Sequence, residues 1–249
     1  MKILTYNLWN SSAGMPQRSV HIRDTLLSCN ADILCLQEVP DASTAEMIAE
    51  ACSCPTALYS AVSGCALLSR LSAELSWHHR YAVGAMLRAG KKTILSVSVH
   101  LPWDSAHARE TAITEIVNAA EIQDADYIIL AGDFNCSDTS DVHRYLTGDC
   151  TIDRKDACYY DLALARQAVT ETGCMPTLDF RRNPRWGVAE PVNTIEIPQR
   201  VDRIYLKNPY PAPLPILQDC GIFGTEPDRV TGLCPSDHYG VYTVLQIPD

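Results

Sequence analysis

The chain has 249 residues, 47% of them hydrophobic, and a formal charge of −10. That composition supports a full core, and no apolar run approaches the roughly 20 residues that span a bilayer. The charge argues against sequence-independent duplex binding through a basic face. It leaves a phosphate substrate open, because a bound divalent cation inverts the local field of an acidic cleft.

Length alone does not call for two domains, and one domain over residues 1–249 is expected. Met1 leads straight into strand-like residues without a charged and then apolar leader, so no secretory signal is read. Eleven cysteines are present with no Cys-x-x-Cys spacing, which points to reduced, mostly buried thiols rather than a disulfide framework or zinc site. An intracellular protein, cytoplasmic or nuclear, is the resulting expectation, and a monomer.

Residues 2–8 read as a strand. Residues 16–29 suit a helix with Pro16 near its start and Val20, Ile22, Leu26 and Leu27 as core contacts. Residues 32–37 form a short apolar strand ending at Glu38. Ser43, with Glu46 three residues on, reads as the cap of a helix to about Ala51. Residues 57–60, 64–69, 81–88 and 93–100 are short strands that together look like a meander. Residues 105–121 fit an amphipathic helix facing inward through Ala112, Ile113, Ile116, Val117 and Ala120. Residues 126–131 are a continuous apolar strand, and 161–169 a helix. Residues 176–200, with Pro176, Pro184, Pro191 and Pro198, read as a long loop, a type of segment that is often functional. Residues 201–206 and 241–247 are the last strands. Hairpins and helices in no strict alternation suggest two sheets covered by helices.

Chemistry-bearing residues collect at strand ends. Glu38 follows an apolar strand. Asp133 and Asn135 end another, where an acid and a carboxamide can hold and orient a water. Asp237 can reach a metal or its bound water, and His238 can donate to a phosphate oxygen as charge builds there. Asp202, a charge inside an apolar strand, needs a partner; it can support His238, or pair with Arg200 or Arg203 at the surface. Asn7 and His100 end two further strands. Each residue alone has an ordinary reading as a turn former, a solvated carboxylate or a core histidine. Together they suggest metal-assisted attack of water on a phosphate ester.

The blocks Thr5-Tyr6-Asn7-Leu8-Trp9, Leu36-Gln37-Glu38-Val39, Val99-His100-Leu101, Gly132-Asp133-Phe134-Asn135, Val201-Asp202-Arg203-Ile204-Tyr205-Leu206 and Ser236-Asp237-His238-Tyr239-Gly240-Val241 resemble, in order, those of the endonuclease/exonuclease/phosphatase superfamily. The resemblance implies a deoxyribonuclease I-like four-layer α/β sandwich, two mixed sheets flanked by helices, with magnesium (Mg2+) or manganese (Mn2+) at the cleft. It implies Glu38 as main metal ligand, assisted by Asn7 and Asp237. Asp133 would activate water, Asn135 would hold it or a phosphate oxygen, and His238, supported by Asp202, and His100 would stabilise the pentacovalent phosphorus. Oxygen-rich ligation suits such a hard cation.

The C-terminal third is most similar to the tyrosyl-DNA phosphodiesterase 2 branch, also through Pro176-Thr177-Leu178-Asp179. It departs from that branch at Leu178 (usually Trp), at Phe134 (usually Thr) and at Leu8-Trp9-Asn10. Arg181, Arg182, Arg185 and Trp186, with Arg203, form a basic, aromatic-bearing stretch that suits a single-stranded DNA end; its ordinary reading is a solvated loop paired with surplus carboxylates. The expected activity is a phosphodiesterase on DNA ends that releases 5′-tyrosyl adducts. The alternatives are abasic-site or exonuclease activity on DNA or RNA, a phosphoinositide or sphingolipid phosphoesterase, and a non-catalytic binding module.

Overall fold

The structure, a computed structural model, describes residues 1–187 and 195–248. The strands are β1 Lys2–Asn7, β2 Ile33–Gln37, β3 Thr56–Ser60, β4 Cys65–Ser69, β5 Ala73–His79, β6 Ala82–Ala89, β7 Lys92–His100, β8 Tyr127–Asp133, β9 Tyr159–Asp161, β10 Asp202–Lys207, β11 Ile216–Phe223 and β12 Gly240–Gln246. The helices are α1 Gln17–Cys29, α2 Ala42–Ala51, α3 Ala106–Glu121, α4 Asp141–Thr147 and α5 Leu162–Thr170.

They form two six-stranded sheets, in the orders β11-β12-β1-β2-β4-β3 and β5-β6-β7-β8-β10-β9. Both are mixed: β1–β2 and β7–β8 are parallel, their other pairings antiparallel. The expected two-sheet sandwich is the fold found.

Three apolar clusters explain the layering. Ile3, Ile33, Cys35 and Leu67 of the first sheet meet Val83, Ala85, Ile129 and Ile204 of the second, making the central core. Leu4, Leu34 and Leu36 point the other way, onto Ile22 and Leu26 of α1 and Ile48 of α2. Val97, Val99 and Leu130 face Ile113, Ile116 and Val117 of α3. With both faces covered, β1, β2 and β8 are near-continuous apolar runs.

Several expectations need correction. The strands read as one meander divide between the sheets: β3–β4 is a hairpin in the first, and β6–β7 continue from β5 in the second. In α1, Ile22 and Leu26 are buried as expected, but Val20 and Leu27 are exposed and Arg18 is buried with the pair. Asp41, not Ser43, caps α2: its carboxylate accepts from the Thr44 amide at 2.7 Å, and the Ser43 hydroxyl donates to that carboxylate. The stretch 176–200 is ordered by pairing up to residue 187: Leu178 bridges to Gln199 and His238, and Pro184–Trp186 form a 3-10 turn. Residues 188–194 of that stretch, Pro191 among them, lie outside the described residues.

Candidate active site

Strand register builds the centre of the site. In parallel β7–β8, His100 lies opposite Asp133; in antiparallel β8–β10, Asp202 lies opposite Asp133. Residues directly opposite share a face of a sheet, so three distant segments deliver one row, His100–Asp133–Asp202. The row needs β7 close to β8 at Gly132, where an added Cβ would sit 1.9 Å from the Val99 carbonyl oxygen. No larger residue fits there.

Asn7 carries the row across to the first sheet. Its Nδ2 donates to Asp133 Oδ2 (3.0 Å) and Glu38 Oε1 (3.1 Å), while its Oδ1 accepts from the Trp9 amide at 2.9 Å. The amide is fully buried and ties two carboxylates that would otherwise repel. The Asn10 amide donates to Glu38 Oε2 at 2.7 Å. Asp133 Oδ1 accepts from the Asn135 amide at 2.8 Å, and Asn135 Nδ2 donates to the Leu101 carbonyl at 2.9 Å. Trp9, Glu38 and Asn135 have φ of 55°, 53° and 48°. That left-handed backbone costs energy in residues with a Cβ, and it concentrates at sites whose surroundings enforce it.

The C-terminal motif closes the row. His238 Nδ1 lies 2.9 Å from Asp202 Oδ2, both residues buried. Burial by itself lowers the imidazole, but the Asp202 charge and hydrogen bond, helped by Asp133 and Asp237, raise it to about 10. Burial pushes the Asp202 carboxyl up, and the His238 charge opposes that rise. At neutral pH the proton therefore sits on the imidazole. Asp202 Oδ1 is buried with no partner among the described residues. Burial, with Glu38 adding to it and His238 opposing it, raises Asp237 to about 6. His100 Nε2 lies 3.8 Å from Asp133 Oδ2.

The segment around Thr177 clips these pieces together. The Thr177 hydroxyl accepts from the amides of Val201 and Asp202, each at 3.1 Å, and its carbonyl accepts from Tyr239. The Ser236 hydroxyl donates to the Asn7 carbonyl at 2.7 Å and accepts from the His238 amide. Asn183 Nδ2 donates to the Ser236 carbonyl, and Trp186 Nε1 to that of Asp237 at 3.1 Å. Trp186 thus packs beside the motif, its indole 40% exposed and edge-on to Phe180.

The basic stretch divides. Arg181 and Arg182 are exposed, with backbone amides held by Asp179. Arg185 donates through Nε to the Cys234 carbonyl and lies over the Trp9 ring. Arg203 does not reach the cleft surface: it is fully buried, with Nη2 on Asp138 at 2.8 Å. The expected substrate contact at Arg203 is therefore replaced by a buried ion pair.

Residues 4–238 match the family described as Endonuclease/Exonuclease/phosphatase family. The chain belongs to that family. Among solved structures it is similar to a humanised D. rerio TDP2 carrying 14 mutations, with TM-score 0.76, 16% identity and 99% of each chain covered. D. rerio TDP2 complexed with single strand DNA product gives TM-score 0.71 at 16% identity, again over 99% of each chain. A functionally unknown conserved protein from Enterococcus faecalis V583 gives 0.70 at 19% identity over 100% of both chains. No curated protein matches the sequence.

For this member of the endonuclease/exonuclease/phosphatase family, the donor set fits a hard divalent cation. Glu38 and Asp237 offer carboxylate oxygens; burial first and the Glu38 charge after it raise Asp237, so a bound cation would favour its ionised form. Asp133, Asp202 and His238 also lie close enough to share an ion, within 4.8 Å of one another. There, however, His238 Nδ1 is already committed to Asp202 and the imidazole is cationic, so the Glu38 side suits a cation better. Sequence reasoning missed Thr177, Ser236 and Asn183 as positioning residues, and the buried bridge from Thr5 through Gln37 to Ser98 between the sheets. For Thr5, Gln37 and Ser98 the available signal was polarity inside apolar strands. Among the described residues all eleven cysteines are free, six of them buried, and no helix is long and apolar enough to cross a membrane.

Proposed function

We propose that this chain is a divalent-metal-dependent phosphodiesterase that acts on single-stranded 5′ DNA ends and releases tyrosyl adducts. The observation that carries the chemistry is the convergence of an acid row, Asp133 and Asp202, with a cationic His238. Family membership and the likeness to a TDP2 bound to a single-strand DNA product support the substrate class.

In this reading Asp133, aligned by the amides of Asn7 and Asn135, takes a proton from the attacking water. The His238 imidazolium, held by Asp202, donates to a nonbridging phosphoryl oxygen as its charge grows. Asn135 and His100 position the water and the phosphate. Glu38 and Asp237 hold magnesium or manganese, Asn7 supporting Glu38 through its amide. When bound, the cation neutralises charge on the phosphate and the departing oxygen. Arg181, Arg182, Arg185 and Trp186 sit beside the motif and serve the DNA strand.

The test is release of tyrosine from a 5′-phosphotyrosyl single-stranded oligonucleotide, with magnesium and with chelator. Magnesium-dependent release is expected. A folded protein that gives none would overturn the DNA-end assignment, and abasic duplex, RNA and phosphoinositides would then be assayed.

A further inference from the structure

A crevice of about 250 Å³ opens between the β1–α1 connection, α1 and α2, with Glu38 in its wall. Leu8, Trp9, Met15, Ile22, Met47 and Ile48 supply most of its surface, and polar residues of the β1–α1 connection and α2, Ser11, Ser12 and Thr44 among them, also line it. Among the described residues it is not lined by Asp133, Asn135 or His238. It therefore adjoins the site only on the Glu38 side.

That side has a chemical meaning, which rests on the phosphodiesterase reading above. In-line displacement puts the departing oxygen opposite the attacking water. Asp133, to which that reading assigns the water, and Glu38 both accept from the Asn7 amide nitrogen, at 3.0 and 3.1 Å. A departing group directed away from Asp133 toward Glu38 would meet the crevice, which Glu38 lines.

The wall is built to keep its shape. Arg18 is 2% exposed and makes no ion pair among the described residues; its guanidinium collects the carbonyls of Leu8, Trp9, Ser11 and Ala13. It also lies 4.9 Å from the Trp9 ring centroid. The loop that Arg18 gathers is the one whose Asn10 amide holds Glu38, so crevice and site are set by one connection.

We infer that this crevice is a leaving-group pocket that takes an aryl group esterified to the scissile phosphate. Two methionines and an indole suit a ring, because thioether sulfur makes favourable contacts with aromatic edges. The volume is sufficient, since an apolar cavity of about 150 Å³ accepts benzene.

The test uses Met47, which the proposed chemistry does not employ. Two diesters on one oligonucleotide are compared, a 5′-tyrosyl and a 5′-methyl phosphate. Met47→Trp, which fills the crevice, lowers kcat/KM for the tyrosyl ester about tenfold or more, the scale on which apolar pockets discriminate, and leaves the methyl ester within about twofold. Met47→Ala gives a smaller loss of the same selectivity, and melting curves establish that both variants fold. A second readout needs no turnover: in the metal-free protein, phenol shifts the methyl resonances of Met15 and Met47 saturably, leaves Met86 unmoved, and methanol does neither. Parallel loss on both esters, or no loss, together with unshifted methionines, overturns the pocket. Phenol binding without turnover of either ester leaves the pocket and overturns the function proposed above.

Discussion

Strand β10 carries two buried charges side by side, and they face opposite ways because side chains alternate along a strand. Asp202 points to the cleft, where it, Asp133, Asp237 and Glu38 share one raised imidazolium. Arg203 points to the other face. There it and Arg200 meet Asp138 and Asp161 at 2.6–2.8 Å, two cations against two anions. The second cluster is electrically complete and holds α5 and the Asp138 turn to the sheet; Asp161 also caps α5 through the Ala163 and Leu164 amides. The first has a surplus of carboxylates, and it is open to solvent through Glu38. Buried charge that is balanced is architecture; buried charge left unbalanced beside an opening is set for a cation or a reacting group.

The two clusters fail differently when broken. Asp133→Ala, Glu38→Ala and His238→Ala each lower kcat about 10²–10³-fold, as expected when one preorganised electrostatic group is lost, with the fold retained; His238→Ala also leaves buried Asp202 without its cation and lowers the melting temperature. Unchanged turnover in any of them removes that residue from the site. Arg203→Met acts on stability: it leaves Arg200 alone against Asp138 and Asp161, and the loss of one buried partner is read as a lower urea midpoint with unchanged slope. If Arg203→Met is as stable as the wild type and loses only activity, the division drawn across β10 is wrong.

Protons sharpen the comparison because the cleft cluster holds a raised carboxyl and a raised imidazole, whereas burial and Arg203 lower His143 beside the second cluster. Asp237 is raised to about 6, so a proton competes with the metal below that value. The rise in melting temperature given by magnesium is therefore full above pH 7 and fades as pH falls through about 6; chelator abolishes it at every pH. His238 gives the opposite trend in metal-free protein. Its pKa is raised from about 6.5 in the unfolded chain to about 10 when folded. The folded state thus binds more protons between those values, and the contribution is complete below about 6.5 and lost as pH rises through about 10. Subtracting the stability profile of His238→Gln isolates this slope; a flat difference between pH 7 and 10 contradicts the ion pair.

What the sequence made legible follows the physics of each element. The row at β7, β8 and β10 was readable because buried parallel strands are apolar runs, and a polar residue at the end of such a run stands out. Asp202 stood out in the same way within its strand, and its partner His238 could be named. Strand β5 was not readable: most of its residues are exposed, so its pattern lacks the apolar signal of a strand. Strand β11 is an edge interrupted by a register shift between Leu217 and Asp219, which breaks the two-residue alternation. Arg203 was misplaced because an arginine beside other arginines reads as surface, and only the three-dimensional arrival of Asp138 and Asp161 makes burial tolerable. Thr177, Ser236 and Asn183 act through backbone groups brought close by folding, and no local pattern announces that.

The smallest effect tests the exposed rim against the buried row. Arg182 is solvent-exposed, and it bonds Asp179 through its backbone amide, so reversing its charge leaves that bond in place. Arg185 is a poorer probe, since its guanidinium holds the Cys234 carbonyl and covers Trp9. Arg182→Glu is expected to raise KM for a single-stranded 5′-tyrosyl oligonucleotide several-fold, with kcat unchanged and a small tyrosyl diester unaffected. A contact to one strand phosphate contributes about 0.7 to the slope of log affinity against log salt, so the variant's KM should also depend less steeply on salt, by about that amount. Equal effects on the oligonucleotide and the small diester would place Arg182 within reach of the reacting phosphate instead. No effect on either would mean that the strand leaves the cleft by another path, with the exposed Trp103, three residues beyond His100, as the next residue to substitute.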